Sequence, residues 1–276
     1  MNRVWLVTGA GSGFGRAITR AAVAAGDVVV GAARHPESLD DLVAAHPDQV
    51  EALRLDVTDT AAAGAAVERV VARHGRIDVL VNNAGRTHVG AVEETTDEEL
   101  RALFDVHVFG PAALVRAALP HMRGRRSGAV VQLSSVGGQL SFAGFGAYSG
   151  TKFALEGMSE ALADEVREYG VKVLIVEPGA FRTSLFAASR AGVSEDGGRY
   201  AAVAATRAMV AGGDGAQPGD PDKAAALVLA ALEAERTPLR LVLGGDAVDG
   251  VLAHLEQVRE DVLAWEERSR GTAFDA

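Results

Sequence analysis

The 276-residue chain predicts a single doubly wound α/β domain, a mostly parallel sheet with helices on both faces. Three observations carry that prediction. Short apolar runs alternate with helical stretches along the whole length, a glycine-rich turn joins the first run to the first helix, and no linker interrupts the rhythm. One domain is therefore expected over residues 1–276.

Val4 to Val7 is the first apolar run, and Gly9-Ala10-Gly11-Ser12-Gly13-Phe14-Gly15 leads from it into a helix from Arg16 that closes at Gly26. Val28 to Ala32 is a second strand, which completes a βαβ unit and implies a parallel sheet covered on both faces. The alternation continues with a strand at Ala52–Leu55, a helix at Ala61–His74 and a strand at Ile77–Val81. A long helical region at Asp97–Met122 is expected to break near Gly110-Pro111, and a strand follows at Ala129–Leu133. Then come a helix running to Val166 and a strand at Val171–Val176. Residues 182–220 lose the rhythm and read as an excursion with short helices, a lid over the site. A helix at Pro221–Glu235, a strand at Leu239–Leu243 and a charged amphipathic tail helix at Ala247–Arg268 end the chain.

Composition narrows the functional classes. A formal charge of −10 disfavours nucleic acid as a partner, because phosphate binding needs a basic face. The one basic cluster, Arg123, Arg125 and Arg126, reads as a solvated loop. With no cysteine there is no disulfide framework and no thiolate metal site, the histidines show no ligand spacing, and no metal is expected. The first strand starts too early for a signal peptide, and no uncharged apolar run approaches bilayer length. A cytoplasmic protein without membrane contact is the expectation.

The first βα turn is a nucleotide cradle. Its glycines permit a tight turn and close approach of a pyrophosphate to the amides of the following helix. In this Rossmann-type arrangement an acidic residue at the end of the second strand would bind a ribose 2′-hydroxyl. Here that strand runs into Arg34, and Asp27 stands at its wrong end. A guanidinium grips a 2′-phosphate, so NADP(H) is preferred, with NAD(H) possible and a solvated Arg34 the bland alternative. Asp56 follows the third strand, where it either accepts a hydrogen bond from the adenine amine or helps start the next helix. Asn82-Asn83-Ala84-Gly85 follows the fourth, its amides suited to bridging neighbouring strands.

Tyr148 and Lys152 stand four apart at the head of a helix, which puts phenol and ammonium on one face. A cation at about 4 Å in an effective dielectric of about 20 favours phenolate by roughly 3 pK units, bringing the phenol toward a working pH. The bland alternative is a buried ring beside a solvated ammonium.

Taken together, Thr8-Gly9 through Gly15, Asp56, Asn82 to Gly85, Ser135, Tyr148 with Lys152, and Pro178-Gly179 with Thr183 resemble the short-chain dehydrogenase/reductase family in order and spacing. The resemblance covers nearly the whole chain. It implies an oxidoreductase that interconverts a carbonyl and a secondary alcohol. Tyr148 is then the general acid/base, and Lys152 tunes it and binds the nicotinamide ribose. Ser135 orients the substrate oxygen, and family spacing selects it over Ser134. The implied cofactor contacts are Thr8, Gly9, Ser12, Gly13, Phe14, Gly15, Arg34, Asp56, Val57, Asn83, Ala84, Gly85, Tyr148, Lys152, Pro178, Gly179 and Thr183.

One departure stands out. Where the family commonly has an Asn that supports a water chain from the Lys, this chain has His107. His107 either keeps that relay as a catalytic group, adding pH dependence near neutrality, or is a satisfied core histidine. Phe142, Phe145, Phe181, Leu185 and Phe186 are candidates for an apolar substrate pocket or for ordinary core. The expected partner is a moderately hydrophobic small-molecule carbonyl or alcohol. A homo-oligomer, dimer or tetramer, is expected from pairing of the Asp97–Met122 region and the Tyr148 helix across a two-fold axis. The rival classes are a catalytically silent dinucleotide sensor or scaffold and a sugar-nucleotide epimerase or dehydratase. The latter normally needs a larger substrate domain than residues 182–220 supply.

Overall fold

The computed structural model describes residues 2–187 and 191–274. Residues 188–190 of the expected excursion and 275–276 of the tail lie outside the described residues. In chain order the elements are β1 (Val4–Thr8), α1 (Gly13–Ala24), β2 (Val28–Ala33), α2 (Asp40–Ala45), β3 (Val50–Arg54), α3 (Thr60–His74), β4 (Val79–Asn82) and β5 (His88–Val89). They continue with α4 (Asp97–Phe104), α5 (Gly110–Arg125), β6 (Gly128–Leu133), α6 (Gly146–Val166), β7 (Val171–Pro178), β8 (Gly192–Val193), α7 (Ala201–Gly212), α8 (Pro221–Glu233), β9 (Arg240–Leu243) and α9 (Gly245–Arg270).

Seven strands form one parallel sheet in the order β3-β2-β1-β4-β6-β7-β9, a doubly wound order that reverses between β1 and β4. Strand alternation divides the core. Trp5 and Val7 of β1 face a cluster with Ala17, Ile18 and Ala22 of α1 and Ala225 and Val228 of α8. Val4 and Leu6 face the opposite cluster, with Val67 and Val70 of α3, Leu114 and Ala118 of α5, and Leu162 of α6. Ile18 is fully buried, so Ile18→Ala would cost about 2–5 kcal/mol. Asp27 sits at the far end of the sheet from the site, where it accepts hydrogen bonds from Trp5 Nε1 (2.8 Å) and the Arg3 amide (2.9 Å).

Several sequence expectations are revised. The Asp97–Met122 region does not break at Gly110-Pro111. A π-turn at Asp105–Phe109 carries the helix through, and Gly110 is small because a Cβ there would lie 2.5 Å from the Val57 carbonyl oxygen. Among the described residues, this stretch (Asp97–Arg125) is long and apolar enough by length and composition to cross a membrane, and half of the window is buried inside the protein, as in a core helix. Its charges cluster toward its two ends, and Arg116 interrupts the apolar part between them. The Arg123, Arg125 and Arg126 cluster is exposed, as expected, but it closes α5 rather than forming a loop. Arg125 donates to Asp78 (3.3 Å), and Arg123 and Arg126 lie over the Tyr169 ring. The excursion contributes α7 and β8, and β8 pairs in parallel with β5, a two-residue strand too short for periodicity to reveal.

Candidate active site

The order reversal between β1 and β4 opens a crevice at the carboxyl ends of the strands, where ligands bind in such sheets. A cavity of about 880 Å³ fills it, reaching from Arg34 and Asp56 at one end to Tyr148 and Phe186 at the other. The turn after β1 has the shape of a cradle. Gly9 and Gly13 have φ of +65° and +51°, the left-handed region that favours glycine. A Cβ at Gly11 would stand 2.1 Å from Ser38 Oγ. Such closely approached, amide-lined concavities fit a pyrophosphate.

Most of the expected cofactor contacts line this cavity: Gly9, Ser12, Gly13, Phe14, Arg34, Asp56, Val57, Asn83, Ala84, Gly85, Tyr148, Lys152, Pro178, Gly179 and Thr183. Two do not. Thr8 supports the turn from behind, its hydroxyl accepting from the Asn83 and Ala84 amides (3.0 and 3.1 Å) and donating to the Val81 carbonyl (3.2 Å). Gly15 is packed so closely that a Cβ would lie 2.4 Å from the Gly9 oxygen. The two asparagines divide the bridging: Asn83 Nδ2 donates to the Thr8 carbonyl (2.8 Å), and Asn82 Nδ2 to Gln132 Oε1 on β6 (2.9 Å). Asp56 does not start a helix. Asp59 caps α3, while Asp56 accepts from the Thr58 amide and hydroxyl, and these bonds hold its carboxyl below the usual range.

The Tyr148 end of the cavity is built by β6, α6 and β7. Ser134 and Ser135 point apart, as consecutive strand-end residues must. The Ser134 hydroxyl turns inward to Glu156 Oε1 (2.7 Å), and Ser135 lines the cavity, its Oγ accepting from the Gly137 amide (3.0 Å). Tyr148 and Lys152 are both buried on α6. Lys152 Nζ donates to the Leu133 carbonyl (2.7 Å) and lies 5.7 Å from the phenol ring centroid. Burial lowers Lys152 to about 8, with the Glu156 charge opposing. Contrary to the sequence expectation, the phenol is pushed above its ordinary value. Its own burial is the larger cause, and Ser135 acts the other way.

His107 does not titrate near neutrality either. It is fully buried in the π-turn, and desolvation, reinforced by the Lys152 charge, drops its pKa well below the ordinary value. The Arg86 amide donates to Nε2 (3.2 Å), so the proton sits on Nδ1, which donates to Thr151 Oγ1 (2.8 Å). Thr151 in turn donates to the Tyr148 carbonyl (2.7 Å). Both ring nitrogens are engaged within the protein, and the chain ends on the Tyr148 backbone rather than its phenol. The ring also meets the Tyr148 ring edge-on at 5.6 Å. His107 thus braces α6 against the loop after β4.

Of the apolar candidates, Leu185 and Phe186 line the cavity. Phe181 also lines it but stacks on Phe14 at 5.1 Å, on the glycine-turn side. Phe145 packs against the Tyr148 ring at 6.0 Å, and Phe142 is exposed; neither lines the cavity. Sequence reasoning missed three residues. Ser38, behind Pro36, reaches the turn beside Arg34. Gln217 lines the cavity with a buried Oε1 that has no hydrogen-bond partner among the described residues. Asp246, in the first turn of α9, accepts from the Ala180 amide (2.8 Å) and pins the Pro178-Gly179 turn. None belongs to a local pattern, and Gln217 and Asp246 arrive from distant segments.

A family model described as short chain dehydrogenase matches residues 3–194. The chain belongs to the short-chain dehydrogenase/reductase family. Members of this family are oxidoreductases, and full-length likeness extends to Oxidoreductase BOA17 of Botryotinia fuckeliana, 35% identical over 99% of this chain and 100% of that one. A solved short-chain dehydrogenase from Streptomyces avermitilis is 63% identical and superposes with a TM-score of 0.93, covering 99% of this chain and 98% of its own. Another, from Burkholderia phymatum in complex with NAD, is 27% identical with a TM-score of 0.83 over 95% of both chains.

Proposed function

We propose that this short-chain dehydrogenase/reductase is an NADP(H)-dependent enzyme that interconverts a carbonyl and a secondary alcohol on a moderately hydrophobic small molecule. The carrying observation is that Tyr148, Ser135 and Lys152 open on the same cavity as the glycine turn. Gly9, Gly13 and the Asn83–Gly85 loop would hold the dinucleotide, with Thr183 and the Gly179 turn at its nicotinamide end. When bound, the nicotinamide supplies or takes up the hydride.

Tyr148 holds its proton, because burial raises the phenol, and delivers it to the carbonyl oxygen in reduction. Ser135 donates to that oxygen and fixes its position. Lys152, anchored on the Leu133 carbonyl, places a positive charge behind the phenol and donates to the ribose hydroxyls. Oxidation runs the same proton path backward. Leu185 and Phe186 give the substrate side its apolar wall and exclude water.

The NADP preference rests on Arg34, with Ser38 beside it and no carboxylate ending β2. The NAD complex of the Burkholderia relative is a reason to measure both cofactors. A cytoplasmic, homo-oligomeric enzyme is part of the same reading. A panel of ketones and aldehydes, followed by NADPH and NADH absorbance for the natural chain and Tyr148→Phe, tests it. The expected result is turnover that the variant lowers by about 10²–10⁴-fold. Equal turnover by the variant would overturn the mechanism, and no turnover with any carbonyl would favour a sensor.

A further inference from the structure

The last helix has no visible reason to be folded. Only Ala247 and Val251, in the first turns of α9, are buried, where the helix packs on β9 and the turn at Val136–Gly138. From Leu252 to Arg270 no residue is buried. Most helical stability in proteins comes from packing an amphipathic face, and Val258, Val262 and Trp265 are not strong helix formers. Yet this stretch carries a regular apolar seam: Val248, Leu255, Val258, Val262 and Trp265 follow the three-four spacing of a coiled coil, with Leu252 beside it, and all are exposed. The polar face satisfies itself, through Glu256–Arg259 (3.1 Å), Gln257–Asp261 (3.2 Å) and Glu266–Arg270 (2.8 Å).

We propose that the seam of α9 is covered by the α9 of a second copy of this chain, packed antiparallel about a two-fold axis. Charge selects both the occupant and the direction. In the antiparallel pair, with Leu255 opposite the partner's Val258, the Asp246 and Asp249 end meets the end carrying Arg268 and Arg270, and His254 faces the partner's Asp261. A parallel pair would place Asp261 beside the partner's Glu266, two like charges. A membrane surface is the poorer occupant, since Leu252–Arg270 holds five acidic against three basic residues and lacks the cationic face that anionic lipid attracts. The pairing does not depend on the reaction assigned above, and its failure would leave that reaction untouched.

The cysteine-free chain makes the test clean. Glu260→Cys and Glu267→Cys each place one spin label on the face opposite the seam. At 1.5 Å per residue, the antiparallel pair separates the two labels by about 10 Å along the axis at position 260 and about 32 Å at position 267. The expected result is a separation at 267 longer by roughly 15 Å or more, with both couplings lost when Leu255→Asp and Val262→Asp are added. Equal separations at the two positions, no coupling at 260, or coupling that survives the two aspartates would each overturn the proposal. So would binding to phosphatidylcholine vesicles without coupling, which would make lipid the occupant.

Discussion

Ser134 donates its hydroxyl to Glu156 Oε1 at 2.7 Å, tying the residue before Ser135 to the residue one helical turn beyond Lys152. Arg240 Nε reaches the other Glu156 oxygen (2.9 Å) and Glu177 Oε1 (3.3 Å), and Gln139 holds the far side of Glu177. A buried polar network thus fixes, from behind, the strand end and helix that carry the candidate catalytic groups. Removing one member strands the rest. Glu156→Ala is expected to destabilise the protein by about 3–5 kcal/mol in urea denaturation, and Ser134→Ala by about 1–3. A change below half a kcal/mol for Glu156→Ala would mean that the network does not hold the site.

The same network gives stability a pH slope. Burial, then the Glu156 charge, pushes Glu177 well above the usual carboxylate range. Between the unfolded and folded values the native state keeps a proton that the unfolded chain has lost. Unfolding free energy is then fullest below the ordinary carboxylate range and falls as pH rises toward neutrality, by at most about 1.4 kcal/mol per unit. Burial of His107 works in the opposite sense over the same range, so the test is a difference: between pH 5 and 7 the natural protein should lose more stability, or gain less, than Glu177→Gln in melting curves. The same pH dependence in both proteins counts against it.

If Lys152 serves the reaction as proposed, it sets the upper edge of the rate profile. Because burial lowers it to about 8, the ammonium predominates below that pH and is lost above it. Ketone reduction, measured as kcat/KM, should therefore decline above about pH 8. Since Glu156 raises Lys152, Glu156→Gln should move that edge to lower pH. His107, held neutral, should add no edge near 6.5, and an edge there abolished by His107→Asn would restore a titrating relay.

Much of this arrangement is legible in the sequence because its signals are local. The alternation of apolar runs yields the sheet, and the glycine turn marks the crevice, since both depend on neighbouring residues. That Ser134 and Ser135 face opposite ways is legible because strand side chains alternate, whereas the choice of Ser135 comes from its family-like spacing to Tyr148. What escapes is whatever distant segments decide. Asp246, Gln217 and Glu94 reach the site or its cover from far along the chain. The two-residue β5 and β8 are defined only by each other. The direction of the phenol shift is not legible, because a pairwise charge shows in spacing whereas the burial that raises the phenol does not.

Arg34 is exposed at the cavity's end, level with Ser38. If it grips a 2′-phosphate, Arg34→Glu should lower kcat/KM for NADPH by about 10–100-fold, the worth of one charge-assisted hydrogen bond, and should change NADH far less. Parallel loss with both cofactors would point to a structural effect, and no loss with NADPH would remove the basis of the preference.

Glu94 is the point at which the excursion is fastened. Its Oε2 pairs with Arg207 of α7 at 2.9 Å, both side chains largely buried, and its Oε1 accepts from the Gly197 amide at 2.9 Å. Nearby, Ser194 bonds His88 Nε2 (2.8 Å) and Glu99 Oε2 (3.0 Å), so the segment is pinned on two sides. If residues 191–213 form a lid, Glu94→Gln should raise the KM for the carbonyl substrate several-fold while leaving cofactor affinity within about two-fold, because a neutral amide keeps the shape but leaves the Arg207 charge without its ion-pair partner. Hydrogen exchange should quicken in α7 and stay unchanged in β1. Faster exchange in α7 with an unaltered KM would show that the segment is fastened for stability alone and does not gate the substrate.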